Sequence, residues 1–397
     1  MDKLEDKYTP TTNTLINPLP QKQRTAIIDI LRGWSLLGVV IVNYSIFYNL
    51  GIESNGHSEG GLTKTLMGTV QILFGSKSWT LLSFLFGYGF SILIKNIKAK
   101  GINHVSFFSR RMIWLFIIGL VNSSFYFGDI LKDYALLGLA LLIFQNVSSK
   151  NLLYFIFGLL LLDPLMNAWL VSHRTTSEFA SLTDHLSMYK SYNVLSVLSF
   201  GLWGSWKIFT LPFIYNVRLI MLTCFLIGMA LQKVNFLERL QENIKFIKQA
   251  FWYSWLLIVF LFVFFVIDQS LKLNIGNYYY VLNWFTLAVT TIITTSICWL
   301  YYSSRCQTFF KGLQLYGKMT LTNYISQNMI GLLLFSGFGF GLLNRLPYSY
   351  YLMIALLIYG CQIYFSRWWL SKYNFGPIEW LWRCLTYRAW LPLKKEV

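Results

Sequence analysis

Charge is scarce in this chain. Only 12% of its 397 residues are Asp, Glu, Lys or Arg, about half of the roughly 25% carried by a soluble domain. That scarcity argues against a water-soluble globular enzyme. Cysteine is thin and unpatterned. Cys224, Cys298, Cys306, Cys361 and Cys384 fall in apolar runs or in segments assigned below to the cytoplasm. No external disulfide is therefore expected, and no spacing among them fits a zinc site. The first apolar run has no small-residue cleavage site behind it, so no cleavable leader is expected. No convincing repeat relates the two halves of the chain, although five spans against five would permit an inverted one.

What the chain has instead is long apolar sequence. Hydrophobic residues make up 55% of it, in runs close to the roughly 20 residues a bilayer-spanning helix needs. Ten spans are read, at about 27–50, 79–95, 112–127, 130–147, 152–171, 208–231, 250–270, 278–301, 319–343 and 348–370. Lipid offers no partner to an unpaired backbone group, so each span is expected to be a helix. The expected fold is all-α, a polytopic membrane bundle of about ten transmembrane helices. Residues 1–23 are expected to be a disordered polar tail, 24–370 the bundle, and 371–397 an interfacial amphipathic helix with a basic tail.

A net charge of +17 raises the question of nucleic acid. The basic residues, however, sit in short segments between apolar runs, as the positive-inside rule requires. The lipid bilayer is the expected partner, and nucleic acid is not. With the N-terminus inside, 24 Lys and Arg residues fall on the cytoplasmic side and 8 outside, with Arg218 inside a span. Both termini are therefore expected in the cytoplasm, and the protein in a bacterial cytoplasmic membrane.

Several polar residues interrupt the apolar runs. The opening helix, RTAIIDILRGWSLLGVVIVNYSIF, carries Asp29, Arg32 and Asn43. Asp29 and Arg32 are three apart and able to pair. Asn43 lies about 40° off the Asp29 face and about 21 Å further along the axis. A charge deep in the membrane costs about 2.5–3.5 kcal/mol, so these groups are either a structural ion pair and an interhelical bond or a functional stripe. Gly87 and Gly89 in LLSFLFGYGF would admit a neighbouring helix closely. Asp129 after Gly128 reads as a helix cap, and Asp163-Pro164 as a kink. In GKMTLTNYISQN, Thr320, Asn323 and Gln327 share a helical stripe, either interhelical glue or a polar pocket wall with Asn122. After Pro377, the recurrence of Ile378, Leu381, Trp382 and Leu385 against Glu379, Arg383 and Arg388 gives the tail its amphipathic reading.

Arg24, Asp29, Arg32, Gly33 and Asn43, with LLSFLFGYGF, GDILKDYALLGL, GKMTLTNYISQN and FSRWWLSKYNFGPIEWLWRCLTY, resemble the YeiB-like membrane proteins, a bacterial family labelled as a domain of unknown function. That family looks like a branch of the transmembrane acyltransferases, which include heparan-alpha-glucosaminide N-acetyltransferase. The resemblance implies acyl-CoA (acetyl-CoA) as donor, a saccharide or other envelope acceptor, and by analogy a homodimer. It implies a coenzyme A end near Asp29, Arg32 and Gly33, with Arg110 and Arg111 holding phosphates, and an acyl-transfer point near Asn43. Candidates for the outer base are His57 and Asp129. One departure stands out: YeiB-like sequences commonly carry histidine where this chain has Asn122, and an amide cannot act as a base near neutral pH. A transporter or permease, the other assignment given to the family, explains the polar residues and glycines without requiring a base.

The orientation is checked at Ser58, in the segment assigned to the outside. A cysteine placed there is expected to react with an impermeant thiol reagent in intact cells; absence of labelling overturns the orientation.

Overall fold

The computed structural model describes residues 25–47, 60–173 and 186–395. His57 and Arg24 lie outside the described residues, as do the 1–23 tail and Ser58. Ten helices stand where ten spans are expected. They are α1 (Ala26–Val42, continuing as a π turn over Asn43–Phe47), α3 (Lys77–Ala99), α4 (His104–Phe125), α5 (Leu131–Phe144), α6 (Ser149–Ser172), α8 (Phe213–Lys233), α9 (Ile244–Leu271), α10 (Leu282–Tyr302), α12 (Thr320–Phe335) and α13 (Tyr348–Lys372). Four more helices of eleven residues or longer stand among the described residues: α2 (Gly61–Leu73), α7 (Val194–Thr210), α11 (Gln307–Lys318) and α14 (Pro377–Tyr387).

Eight of the described helical segments are long and apolar enough to cross a membrane. The protein is thus a polytopic helical membrane protein. The two exceptions are α5, with 14 residues, and α12, with 16. Each has a physical reason to be short. α5 begins only after the reversal at Gly128–Ile130, where Lys132 and Asp133 are buried at its start. α12 ends at Phe335, and the chain to Pro347 turns back on itself, Gly337 N–H bonding the Tyr189 carbonyl at 3.0 Å.

Close helix crossings depend on missing side chains. Gly87 of α3 packs on the backbone of Phe225 in α8, and Gly228 of α8 packs in turn on Phe84 and Tyr88. A Cβ at either would collide with main chain. The expectation for Gly87 holds, but Gly89 faces a cavity instead of a helix: a methyl there would lie 3.2 Å from the Arg32 guanidinium. Gly33 of α1 packs on the Leu313 backbone of α11, and Gly317 returns the contact at Asp29.

Pro164 sits inside α6, where its ring removes the hydrogen bond to the carbonyl four residues back. That carbonyl belongs to Leu160, and the Trp284 indole of α10 donates to it at 2.9 Å. Asn283 donates to Asp163 at 2.9 Å. The proline therefore frees an acceptor that locks α6 to α10.

Replacing Gly87 by valine is expected to force α3 and α8 apart at a cost of about 1–3 kcal/mol. The purified protein should melt several degrees lower. Gly158→Val, at a position with open space around it, should leave the melting temperature unchanged; equal effects would refute the close-crossing account.

Candidate functional site

A cavity of about 400 Å3 lies between α1, α3, α4, α5, α12 and α14. At one end its wall carries Arg32, Lys100, Arg111, Lys318 and Arg383, all partly exposed. At the other it carries Leu85, Leu131 and Tyr324, all buried. It therefore opens at its basic end and closes in the bundle. Between the ends the wall is apolar, with Leu36, Phe86, Phe90, Leu93 and Met112. Along α3 it runs from Lys100 back to Leu82, a helical length of about 27 Å.

At the basic end, Arg32 pairs with Asp29 at 3.2 Å, and both line the cavity. The second carboxylate oxygen of Asp29 is buried with no hydrogen-bond partner. Arg111 lays its guanidinium 3.5 Å over the Trp382 ring, and the Trp382 indole donates to the Arg111 carbonyl at 2.9 Å. Arg110 does not line the cavity; it lies near Arg388. Gly33 is likewise absent from the wall, because it is buried in the α1–α11 crossing. Glu238, in the linker after α8, lines the same end and accepts a hydrogen bond from Tyr88.

Asp129 does not line the cavity; it lies behind the closed end, on the reversal between α4 and α5, in contact with the wall residues Leu131 and Tyr324. Its Oδ1 accepts from Asn122 Nδ2 at 2.6 Å and from the Tyr324 hydroxyl at 3.3 Å. Its Oδ2 accepts from the Leu131 N–H at 3.1 Å and lies 3.7 Å from Lys132 Nζ. Ile130 rather than Asp129 is the N-cap of α5, but the Asp129 carboxylate takes the N–H of the first helical residue, as one of its four contacts. Burial pushes the Asp129 carboxyl up to about 6, against the pull of Lys132 and the hydrogen bonds. Asn328 of α12 donates to Asn122 at 3.2 Å. Asn43 does not line the cavity; it is buried and accepts from the Tyr126 hydroxyl at 3.0 Å.

The polar stripe of α12 divides into two sites. Tyr324 and Asn328 face Asp129 and Asn122. Asn323 and Gln327 face the other way, to α11 and α13. Asn323 donates to the Tyr316 carbonyl at 3.1 Å and to Ser366 at 3.0 Å, and Gln327 donates to Tyr316 and to Gln362. Neither lines the cavity. The grouping of Asn122 with Asn323 and Gln327 therefore separates: the latter two are interhelical glue.

Two contributors escape a reading by pattern. Glu379 looks like the polar face of an interfacial helix, yet its carboxylate accepts from the N–H groups of Leu321 (2.6 Å) and Thr322 (3.1 Å) and from the Thr322 hydroxyl. It caps α12 from a distance, and burial raises its carboxyl above the usual range. The helix α14 thus packs under α4 and α12 as part of the cavity wall, through Glu379, Trp382 and Arg383. Ser205, on α7, reaches Lys132. The available signal was the row of small residues Gly201, Gly204 and Ser205, all buried.

Fold and site together define a polytopic helical membrane protein with an amphipathic cavity whose closed end adjoins a buried carboxylate. Residues 231–389 match the family model described as "Protein of unknown function (DUF418)". The uncharacterised protein YxaH of Bacillus subtilis is 26% identical over 96% of this chain and 98% of its own. An uncharacterised 39.9 kDa protein of Bacillus acidopullulyticus is 28% identical over 96% and 99%. The uncharacterised protein YeiB of Escherichia coli is 25% identical over 92% and 97%. The chain is thus similar to YeiB and YxaH along most of its length, and to the family model over residues 231–389. No solved structure matches it.

Glu379→Ala removes three acceptor contacts from the α12 N-terminus, a loss of about 1–3 kcal/mol. Hydrogen exchange at Leu321 and Thr322 is expected to rise about 5- to 140-fold, since 1.4 kcal/mol corresponds to a factor of ten. Unchanged exchange would show that α12 caps itself.

Proposed function

We propose that the protein is an acyltransferase of the bacterial cytoplasmic membrane, moving an acyl group from cytoplasmic acyl-CoA to a hydroxyl or amine acceptor on the far side. The observation that carries this reading is the cavity that joins a basic mouth to the partners of Asp129. Arg32, Lys100, Arg111, Lys318 and Arg383 would face the coenzyme A phosphates, where guanidinium groups suit phosphate oxygens. The apolar wall would take the pantetheine arm and the acyl group.

In the transfer step Asp129 takes the proton of the acceptor as its oxygen or nitrogen attacks the thioester carbonyl. The carbon–sulfur bond breaks, and the coenzyme A thiolate leaves and takes up that proton. The Tyr324 hydroxyl, on the cavity wall, donates to Asp129 and links the base to the cavity end. A carboxyl titrating at about 6 is a base poised near neutral pH. Asn43, through Tyr126, holds the reversal that carries Asp129 rather than reacting itself.

Reconstituted vesicles given labelled acetyl-CoA and a panel of sugar acceptors are expected to show protein-dependent acyl transfer. The rate should rise with pH through about 6, as Asp129 loses its proton, and then level off. Asp129→Asn should lower kcat by about 10²–10⁴-fold, and Arg32→Ala should abolish coenzyme A binding in a folded protein. Transfer unaffected by Asp129→Asn would remove the assigned base. A substrate gradient driven without coenzyme A would replace the reading with transport.

A further inference from the structure

Lys132 is the most completely enclosed cation on the described chain, at 1% exposure. An ammonium group has three donors. Here two of them go to Ser123 Oγ of α4 and Ser205 Oγ of α7, and the ammonium forms an ion pair with Asp129 Oδ2 at 3.7 Å. Ser205 also donates to Ser123 at 3.1 Å, and Ser123 to the Gly119 carbonyl at 2.7 Å. The two serines thus have fixed orientations, and their lone pairs are held toward Nζ. The transfer step above uses Asp129 but neither Lys132 nor the two serines.

We propose that Lys132 is a positioning residue whose ammonium, seated on Ser123 and Ser205, keeps the Asp129 carboxyl ionised near neutral pH. The inference deepens the acyl-transfer reading but concerns a property of the chain itself.

Charge arithmetic supports it. Asp129 is met by Lys132 from α5, by the neutral Asn122 of α4 and by the neutral Tyr324 of α12. The neighbouring Asp133 is matched by Arg218 of α8, which donates to it at 2.6 Å and to the Phe209 carbonyl at 2.7 Å. Arg218 is therefore committed to Asp133, and Lys132 is the cation in direct contact with Asp129. Removing a positive charge within 4–6 Å of a buried carboxylate raises its titration point by about one to three pH units. The two serines add specificity: they accept hydrogen bonds only from a donor, so a neutral aliphatic side chain of the same length could not use them.

The test reads the protonation of Asp129 directly. Infrared difference spectra of the full-length protein in vesicles are recorded across pH, and the carboxylic-acid C=O band is assigned by its loss in Asp129→Asn. In the wild type the band should fade as pH rises through about 6. In Lys132→Met it should persist about one to three pH units higher, and Lys132→Arg should restore most of the original midpoint. Ser205→Ala, which leaves the charge in place, should move it less than Lys132→Met. An Asp129 band with the same midpoint in wild type and Lys132→Met overturns the proposal, as does a Lys132→Arg protein that behaves like Lys132→Met. If Lys132→Met does not fold, Ser123→Ala with Ser205→Ala serves instead, and an unmoved midpoint there also counts against it. Because the readout needs no substrate, absent acyl transfer would refute the enzymatic reading without touching this one. Where transfer is measured, the pH profile should move by the same amount, with kcat affected more than KM; a simple loss of folded protein would shift neither.

Discussion

A carboxylate buried at Asp129 persists only if donors surround it, and the bundle is arranged to bring them. Taking such a group out of water costs several kcal/mol even after relaxation. The compensation comes from α4 through Asn122, from α5 through the Leu131 N–H and Lys132, and from α12 through Tyr324. Those donors are themselves held: Asn122 by Asn328, and Lys132 by Ser123 and Ser205. One buried charge thereby fixes the register of four helices. The cavity closes where it does because its end wall, Leu131 and Tyr324, consists of residues adjoining that network.

The same logic explains the opposite end. α12 begins at the cavity wall, where its first amides have no partner of their own. Glu379 supplies one from a helix more than fifty residues further along. A carboxylate suits that position because a helix N-terminus carries partial positive charge. The cap does two jobs at once: it holds α12 in register, with Tyr324 on Asp129, and it seats α14 against the mouth. Arg111 and Trp382 stack at the same seam. The two ends of the cavity are thus joined mechanically by a single short helix.

How much of this was legible in the sequence follows from the kind of signal each part leaves. Apolar runs set by lipid thickness announce themselves: each of the ten expected spans contains a helix, and eight of these are long and apolar enough to cross a membrane. The Asp29–Arg32 pair was legible because its spacing is local. Pro164 was legible as a kink, though not the indole that completes it, because Trp284 is 120 residues away. Asn323 and Gln327 were visible as a polar stripe, but a stripe does not say which neighbour it faces, and α12 has a different neighbour on each side. Glu379 was hidden for a related reason. An amphipathic pattern marks a boundary between apolar and polar surroundings, and the interior of a polar helix cap looks like solvent. Ser205 and Gly89 are small, and small residues mark close approach without saying whether a helix, a lysine or a cavity approaches.

Asn122 is where the resemblance and the geometry bear on each other most directly. Its side chain donates to Asp129 and accepts from Asn328. A neutral histidine, the residue common here among YeiB-like sequences, has one ring N–H and one ring acceptor nitrogen. It could therefore make the same two bonds. The exchange conserves the hydrogen-bond topology and removes a titrating group. In a histidine–aspartate pair the imidazole would carry the proton and the carboxylate would orient it, as in a catalytic triad. With an amide in that place the proton has one titratable destination in the network that can accept it near neutral pH, which is Asp129. In the acyl-transfer reading proposed above, an amide at Asn122 would leave the basic function to Asp129, one residue along the hydrogen-bond chain, with the framework around it unchanged.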